Sequence, residues 1–367
     1  MQSETESTIR ANILEWLGTS LGRLLISLVV PALTFVGLWQ GFIFLRDSQA
    51  PQWLIMLVAI VWGVGGVAAL YFVSNWLIEQ LPTEWMARLQ PFIFVGPAMA
   101  ILTWYLAIPA LRTLVRSFLR NNTNEFVGLD NYIKIFTDRA MLIAFRNNFM
   151  WVVIGTSLCV IFGLLVAILA DRSSIENTAK ALIFLPMAIS FVGAGVIWRF
   201  VYDTNPNIGL LNALVSAFGG TPQSWLAMVQ PWNNLFLIVV VIWLQTGYAM
   251  VLISAAIKGV PEDLLEAARV DGANEVQIFF RIIIPYIQGT LITVTTTIVI
   301  FTLKIFDVVL VMTGGNFGTT VIGVEFYRQF FVFSNEGLGS AIAIVLLILV
   351  IPVMIYNLRE FSQREVF

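Results

Sequence analysis

Eight long apolar segments constrain the fold of this chain more than any other feature of its sequence. Each has the roughly 20 mostly apolar residues that an α-helix needs to cross a bilayer. They run over about 21–45, 53–78, 91–111, 147–170, 180–202, 233–257, 286–312 and 338–357. Because backbone N–H and C=O groups find no water in lipid, spanning helices must satisfy them internally. The predicted fold class is an all-α polytopic membrane protein with about eight transmembrane helices.

Composition supports this fold class and excludes several functions. Hydrophobic residues make up 59% of the 367 residues and charged residues 11%, against about 25% charged in soluble domains. The net charge of −2 gives no reason to expect a nucleic acid partner. The chain has no histidine and a single cysteine, Cys159, so the commonest metal ligand and an intrachain disulfide are both excluded.

The N-terminal region is predicted to be a retained membrane anchor. Its first eight residues are polar and acidic, whereas a secretory signal begins with basic residues and has a shorter apolar core. An even number of spans places both termini on one side. Of the 20 Lys and Arg residues, ten then lie on the predicted inner side and eight on the outer side, six of these eight within 112–146. This margin is too small for the positive-inside rule to decide the orientation.

The segment between the sixth and seventh spans, 258–285, carries the most specific pattern. It is predicted to form two short helices around a glycine turn. Pro261 suits the first position of a helix, and Gly272 is placed to end that helix in a left-handed conformation. Asn274 is predicted to cap the second helix, with Gln277 completing a capping box.

This segment closely resembles the EAA loop of ABC importer permeases. The matching positions are Glu266, Ala267, Ala268, Asp271, Gly272 and Ala273, followed by an apolar helix up to Pro285. In that family the loop lies in the cytoplasm and docks into a groove on the ATP-hydrolysing subunit. The resemblance therefore implies that 259–285 is the coupling loop and that both termini are cytoplasmic, in a bacterial inner membrane. An ordinary amphipathic hairpin at the interface is the alternative.

The wider chain is similar to the carbohydrate-uptake branch of these permeases, the relatives of the maltose permease subunit. The similar elements are 126–132, 184–186, 196–200 and 208–212. The similarity covers 91–367, which implies a six-helix core of the type I importer, with 1–90 as a segment bearing two accessory helices. The details, notably FLPMAISFVGAGVIWRF, look most like α-glucoside and glucosylglycerol permeases.

The resemblance implies the subunit of an importer that takes up a neutral sugar, glycoside or glucosylglycerol-like osmolyte by alternating access. Its expected partners are a second, homologous but different permease chain, two ATPase subunits and an external solute-binding protein. The sequence has no G-x-x-x-x-G-K-[ST] loop, so ATP and Mg are expected on the ATPase subunits, and this chain is expected to bind no cofactor and not to be an enzyme.

Two other functions remain open. One keeps the ABC architecture and changes the cargo to another small solute. The other is an ion-coupled secondary transporter, which would call for carboxylates or histidines buried in the membrane; only Asp307 lies well inside a span.

Polar groups inside the spans are the candidates for the solute path, because such groups are costly in a membrane unless they have a function. In the sixth span these are Gln245 and Tyr248, and in the seventh Thr302, Lys304 and Asp307. The resemblance also places sugar-contacting positions at or beside Val241, Leu244, Gln245, Tyr248, Phe301, Thr302 and Ile305. An aromatic ring with a few amide and hydroxyl groups suits a neutral polyol.

Each of these polar groups also has a purely structural interpretation. Lys304 and Asp307, three residues apart on one predicted helix, would neutralise each other or a partner subunit. Tyr248 would only pack. The threonines at 293 and 295–297 would join helices. Arg199 and Asp203 would form an ion pair at the outer interface or contact a solute receptor.

Overall fold

The structure is a computed structural model that describes residues 29–79, 83–121, 123–171 and 173–364. Regular elements within these ranges are helical. Among the described residues, six helices are long and apolar enough to cross a membrane, and the number of spans rises to eight if each of two bent helix pairs, over 176–201 and 275–303, is one span. The predicted all-α polytopic fold is therefore confirmed. The acidic N-terminus and the start of the first predicted span lie outside the described residues.

The chain packs as two compact units that divide between Pro109 and Ala110. The first unit contains α1 (Val29–Asp47), α2 (Gln52–Glu79) and most of α3 (Thr83–Arg116). Within it, the Trp62 indole donates a hydrogen bond of 2.8 Å to the carbonyl of Leu38. Most of its large apolar side chains are exposed, as lipid-facing helices require. The predicted division at residue 90 stays a prediction.

The second unit holds the remaining helices, several of them short. They are α4 (Asp130–Thr137), α5 (Arg139–Asp171), α6 (Glu176–Phe184), α7 (Phe191–Val201), α8 (Leu210–Ala217), α9 (Trp232–Lys258), α10 (Glu262–Val270), α11 (Glu275–Tyr286), α12 (Gln288–Leu303), α13 (Asp307–Thr313), α14 (Ile322–Tyr327) and α15 (Glu336–Arg364).

Helices α5 and α9 form the centre of the second unit. Gly163 of α5 lies directly against Ala249 and Met250 of α9, and Gly247 of α9 lies against the backbone of Ile183 and Phe184. Small residues let helix backbones approach closely inside a membrane. Around this crossing, Cys159 and Ile298 belong to one buried cluster that joins α5, α9 and α12.

The fifth predicted span, 180–202, is two helices and not one. Helices α6 and α7 meet at an angle of 102°. The break contains a tight turn at Leu185–Ala188, with Pro186 inside it. Ser190 then caps α7 by accepting a hydrogen bond of 3.0 Å from the N–H of Gly193. Proline and this cap together explain why a continuous helix does not form.

The prediction of one continuous helix over 286–312 is wrong. Helix α12 ends at Leu303, and α13 begins at Asp307. The Asn148 amide donates a hydrogen bond of 2.9 Å to the carbonyl of Leu303, and its oxygen accepts one of 2.8 Å from the N–H of Ile322. Asn148 thus satisfies a carbonyl at the end of α12 and the first N–H of α14. Lys304 and Asp307 consequently do not share a helix.

The chain between α13 and α14 is held in the same way. The Asn147 amide donates hydrogen bonds of 2.7 Å to the carbonyls of both Gly318 and Thr320. Asn233 donates one of 2.8 Å to the carbonyl of Phe317. Irregular backbone is tolerated at membrane depth only where protein groups satisfy it, and these asparagines supply those groups.

The α5–α9 crossing predicts a glycine-specific effect on stability. In G163A the new methyl group would overlap Ala249 and lie 3.0 Å from the backbone N of Met250. We expect a destabilisation of about 1–3 kcal/mol, seen as a lower denaturation temperature of the purified protein. The control is G63A in α2, where the new methyl group meets nothing within 4 Å. Equal denaturation temperatures for the two variants would contradict this packing.

Candidate functional site

A cleft in the second unit brings together most of the residues predicted to line a solute path. It consists of two adjoining pockets of about 170 and 450 Å³ that share Phe191, Thr297 and Phe301. The predicted residues on its walls are Leu244, Gln245, Tyr248, Phe301, Lys304, Ile305 and Asp307. Helices α9 and α12 therefore present one face each to the same space.

Two predicted residues lie behind the cleft wall. Val241 is 1% exposed and Thr302 is 0% exposed. The Thr302 hydroxyl donates to the carbonyl of Ile298 at 3.0 Å and lies 3.3 Å from the hydroxyl of Thr156 on α5. The structure places both residues in helix packing, where they support the lining but do not contribute to it.

The break between α6 and α7 contributes residues that the sequence reasoning missed. Met187, Ile189 and Phe191 line the first pocket. The ring of Phe191 lies against that of Phe301, with centroids 5.7 Å apart. Pro186, in the element at 184–186 that resembles the family, was the signal in the sequence that could have predicted this break.

Gln245 is the most informative polar group in the cleft. It is buried within the helix bundle, yet its side chain borders the first pocket. Among the described residues, its amide has no hydrogen-bond partner. Since buried amides are normally hydrogen-bonded, this group is available to a polar molecule that enters the pocket.

Lys304 and Asp307 border the second pocket. Lys304 is exposed and Asp307 is half-buried. Within the described part of the chain, neither makes a hydrogen bond or an ion pair, so they do not neutralise each other directly. The second pocket thus carries one charge of each sign.

Of the other structural interpretations, the structure agrees with that for Thr296 but not with that for Thr297 or with the ion pair of Arg199 and Asp203. Thr296 joins helices, since its hydroxyl accepts a hydrogen bond of 2.6 Å from Asn357 of α15. Thr297, in contrast, lines the cleft. No ion pair between Arg199 and Asp203 occurs among the described residues, and the Asp203 carboxylate instead accepts a hydrogen bond of 2.8 Å from the N–H of Asn205.

The candidate coupling loop folds largely as its sequence predicts. Helix α10 ends before Gly272, which has a φ of +84°, so the predicted left-handed turn is confirmed. Asn274 and Gln277 form the predicted capping box, with both hydrogen bonds at 2.9 Å. Pro261 lies one residue before α10 and not at its first position.

The predicted coupling residues lie on the surface of this loop. Glu266, Ala267, Asp271 and Gly272 are exposed, and Ala268 and Ala273 are half-buried. Apolar side chains are exposed beside them, among them Leu264, Val270 and Val276. A short helix with small residues and exposed apolar neighbours is a surface that another protein can cover.

Comparison with known proteins decides the family. Residues 159–366 match the family described as binding-protein-dependent transport system inner membrane component. The osmoprotective compounds uptake permease protein GgtC of Synechocystis sp. is 52% identical over 277 residues, covering 74% of this chain and 99% of that protein. The chain belongs to this family of ABC importer permeases.

A second relative and one solved structure agree with this membership. The alpha-glucoside transport system permease protein AglF of Rhizobium meliloti is 47% identical over 282 residues, covering 76% of this chain and 84% of that protein. A bacterial alginate ABC transporter, solved with an alginate pentasaccharide-bound periplasmic protein, has a chain with a TM-score of 0.63 and 20% identity, covering 73% of this chain and 92% of its own. That structure shows the same fold.

Family membership establishes the general role of the chain. It is a multi-pass inner membrane permease, and ATP hydrolysis belongs to a separate subunit of such importers. Among the described residues, no group of three or more His, Cys, Asp or Glu side chains is placed to hold a metal ion.

The geometry of α12 predicts which side of this helix faces water in the cleft. Cysteine at Phe301, which is 44% exposed and lines the cleft, should react readily with a charged methanethiosulfonate reagent. Cysteine at the neighbouring Thr302 should be protected, since that side chain is packed against α5. The native Cys159 is buried and should give little background. Equal reactivity at the two positions would refute this orientation of α12.

Proposed function

We propose that this permease carries a neutral sugar or glycoside across the inner membrane by alternating access, with the cleft between α9 and α12 as the solute path. The unpartnered amide of Gln245 at the edge of the cleft carries this proposal. It is the kind of group that binds a hydroxyl of an entering solute.

The chemistry of the cleft fits a polyhydroxylated, uncharged solute. Phe191, Phe301 and Tyr248 offer aromatic surface to the apolar face of a sugar ring, and Gln245 and Thr297 border the same pocket. Mostly apolar walls with a few polar groups are typical of small-molecule sites. The opposite charges of the second pocket cancel, so the cleft as a whole does not favour a charged solute. The relatives named for osmoprotective compounds and α-glucosides support the same class of cargo.

The coupling loop lies between the two helices that line the cleft. It begins directly after α9, which bears Gln245 and Tyr248, and leads through α11 into α12, which bears Thr297 and Phe301. We infer that Glu266 to Ala273 dock on an ATPase subunit in the cytoplasm. A displacement of the loop would then move both walls of the cleft.

The full importer would contain this chain, a second homologous permease, two ATPase subunits and an external solute-binding protein. In this arrangement both termini of the chain face the cytoplasm. ATP and Mg would be bound by the ATPase subunits.

Transport assays test this function directly. The intact complex, purified with its partners and reconstituted in liposomes, should accumulate one or more of maltose, trehalose, sucrose and glucosylglycerol when ATP is supplied. Inactivating the ATPase subunits should abolish uptake. Uptake that persists without ATP hydrolysis would favour an ion-coupled transporter, and ATP-driven uptake of other solutes alone would refute the sugar assignment.

The turn at Gly272 provides a test of the coupling loop. In G272A the left-handed conformation costs roughly 1–2 kcal/mol, so the orientation of α10 against the ATPase subunit should be disturbed. We expect less solute transported per ATP hydrolysed, with membrane insertion unchanged. The control is G219A, at a glycine with a φ of +78° and equally open surroundings that lies outside the loop. A normal transport ratio in G272A would contradict the coupling role.

The cleft is tested at Gln245. In Q245L the amide is lost at nearly constant volume, and we expect the apparent affinity for the transported sugar to fall roughly two- to tenfold, the value of one hydrogen bond. The control is T246V on the same helix, where the hydroxyl bonds only to the carbonyl of Ile242. Unchanged affinity in Q245L for every transported sugar would show that the site is misplaced.

A further inference from the structure

A cluster of charged side chains lies at the base of the coupling loop. Lys180 forms an ion pair with Asp171 and lies 2.6 Å from a carboxylate oxygen of Glu176. It also donates a hydrogen bond of 2.5 Å to Ser254, whose hydroxyl donates one of 2.7 Å to Asp171. Lys258 completes the cluster through an ion pair with Glu176.

The cluster joins the ends of three helices. Asp171 is the last residue of α5, Glu176 the first of α6 and Lys258 the last of α9. The coupling loop begins at the next residue, Gly259. Lys258 is thus the residue of α9 next to the loop, and its ion pair with Glu176 links it to α6.

Helix α6 leads from this cluster to the cleft. It runs into the turn whose Met187 and Ile189 line the first pocket. Along the way it is held on α9, since a methyl group at Gly247 would lie 2.6 Å from the carbonyl oxygen of Ile183. The helix is thus short and is held near both ends, by the ion pairs of Glu176 and Lys180 and by the contact of Ile183 with Gly247.

We propose that Lys258 and Glu176 are positioning residues that transmit the movement of the coupling loop through α6 to the broken span lining the cleft. This inference rests on the proposed coupling role of 259–285. The loop would move two walls of the cleft directly, through α9 and α12. Through Lys258 and Glu176 it would also move a third wall, formed by the break between α6 and α7.

The Lys180–Asp171 pair and the Lys258–Glu176 pair differ in how much their removal would affect folding. The side chains of Lys180 and Asp171 are only 18% and 14% exposed, so removing Lys180 would strand a largely buried carboxylate and endanger folding. The side chain of Lys258 is 53% exposed, and such pairs contribute little to stability. Lys258 is therefore the residue to vary.

The test compares three variants of the reconstituted complex, using a sugar from the panel above that the wild-type complex accumulates. In K258M the amount of sugar transported per ATP hydrolysed should fall about two- to fivefold. K258R, which keeps the charge, should retain the wild-type ratio. The control R120Q removes another exposed ion pair, Arg120–Glu125, away from the loop and should also retain it.

Further measurements separate transmission from a structural role. Assembly yield and denaturation temperature should be unchanged in K258M, since a purely structural role would lower them together with the ratio. A wild-type ratio in K258M, or an equal loss in K258R, would overturn the inference while leaving the proposed function intact. A wild-type complex without ATP-dependent sugar uptake would instead refute the proposed function, and the inference with it.

Discussion

The need to satisfy backbone polar groups inside the membrane underlies the whole arrangement of the cleft. A spanning helix can be interrupted there only if side chains replace the lost hydrogen bonds. Asn148 does so at the end of α12, where its amide donates to the carbonyl of Leu303, and at the start of α14, where its oxygen accepts from the N–H of Ile322. Lys304 lies in this break and Asp307 begins α13, and both border the second pocket.

The same constraint applies to the two interruptions that border the cleft, between α6 and α7 and between α12 and α13. Side chains of the protein satisfy backbone groups at both places: Ser190 accepts from the N–H of Gly193 at the first, and Asn148 donates to the carbonyl of Leu303 at the second. Broken helices near the middle of the membrane are a common way for transporters to build a binding site. Such breaks require polar side chains that stay within hydrogen-bonding distance of backbone groups far away in the sequence.

Local sequence was sufficient for the features that local chemistry controls. The spans follow from apolar length, and Gly272 and Asn274 end and cap their helices as turn and capping preferences predict. Asn147 and Asn148 were missed because their partners lie more than 150 residues away in sequence. Val241 and Thr302 were placed with the lining through the resemblance to sugar-contacting positions of the family, and Thr302 also as a polar group inside a span. Neither α9 nor α12 has a distinct polar face, so periodicity does not indicate which side of each helix is packed.

In the proposed mechanism, the coupling loop acts from the cytoplasm on the cleft, and the ATPase cycle changes the side to which the cleft opens. The most direct measurement is the reactivity of cysteine at Phe301 with a membrane-impermeant thiol reagent added from one side of the reconstituted complex. We predict that the reactive side switches between the nucleotide-free complex and the complex trapped with ADP and vanadate. Reactivity from the same side in both states would contradict alternating access through this cleft.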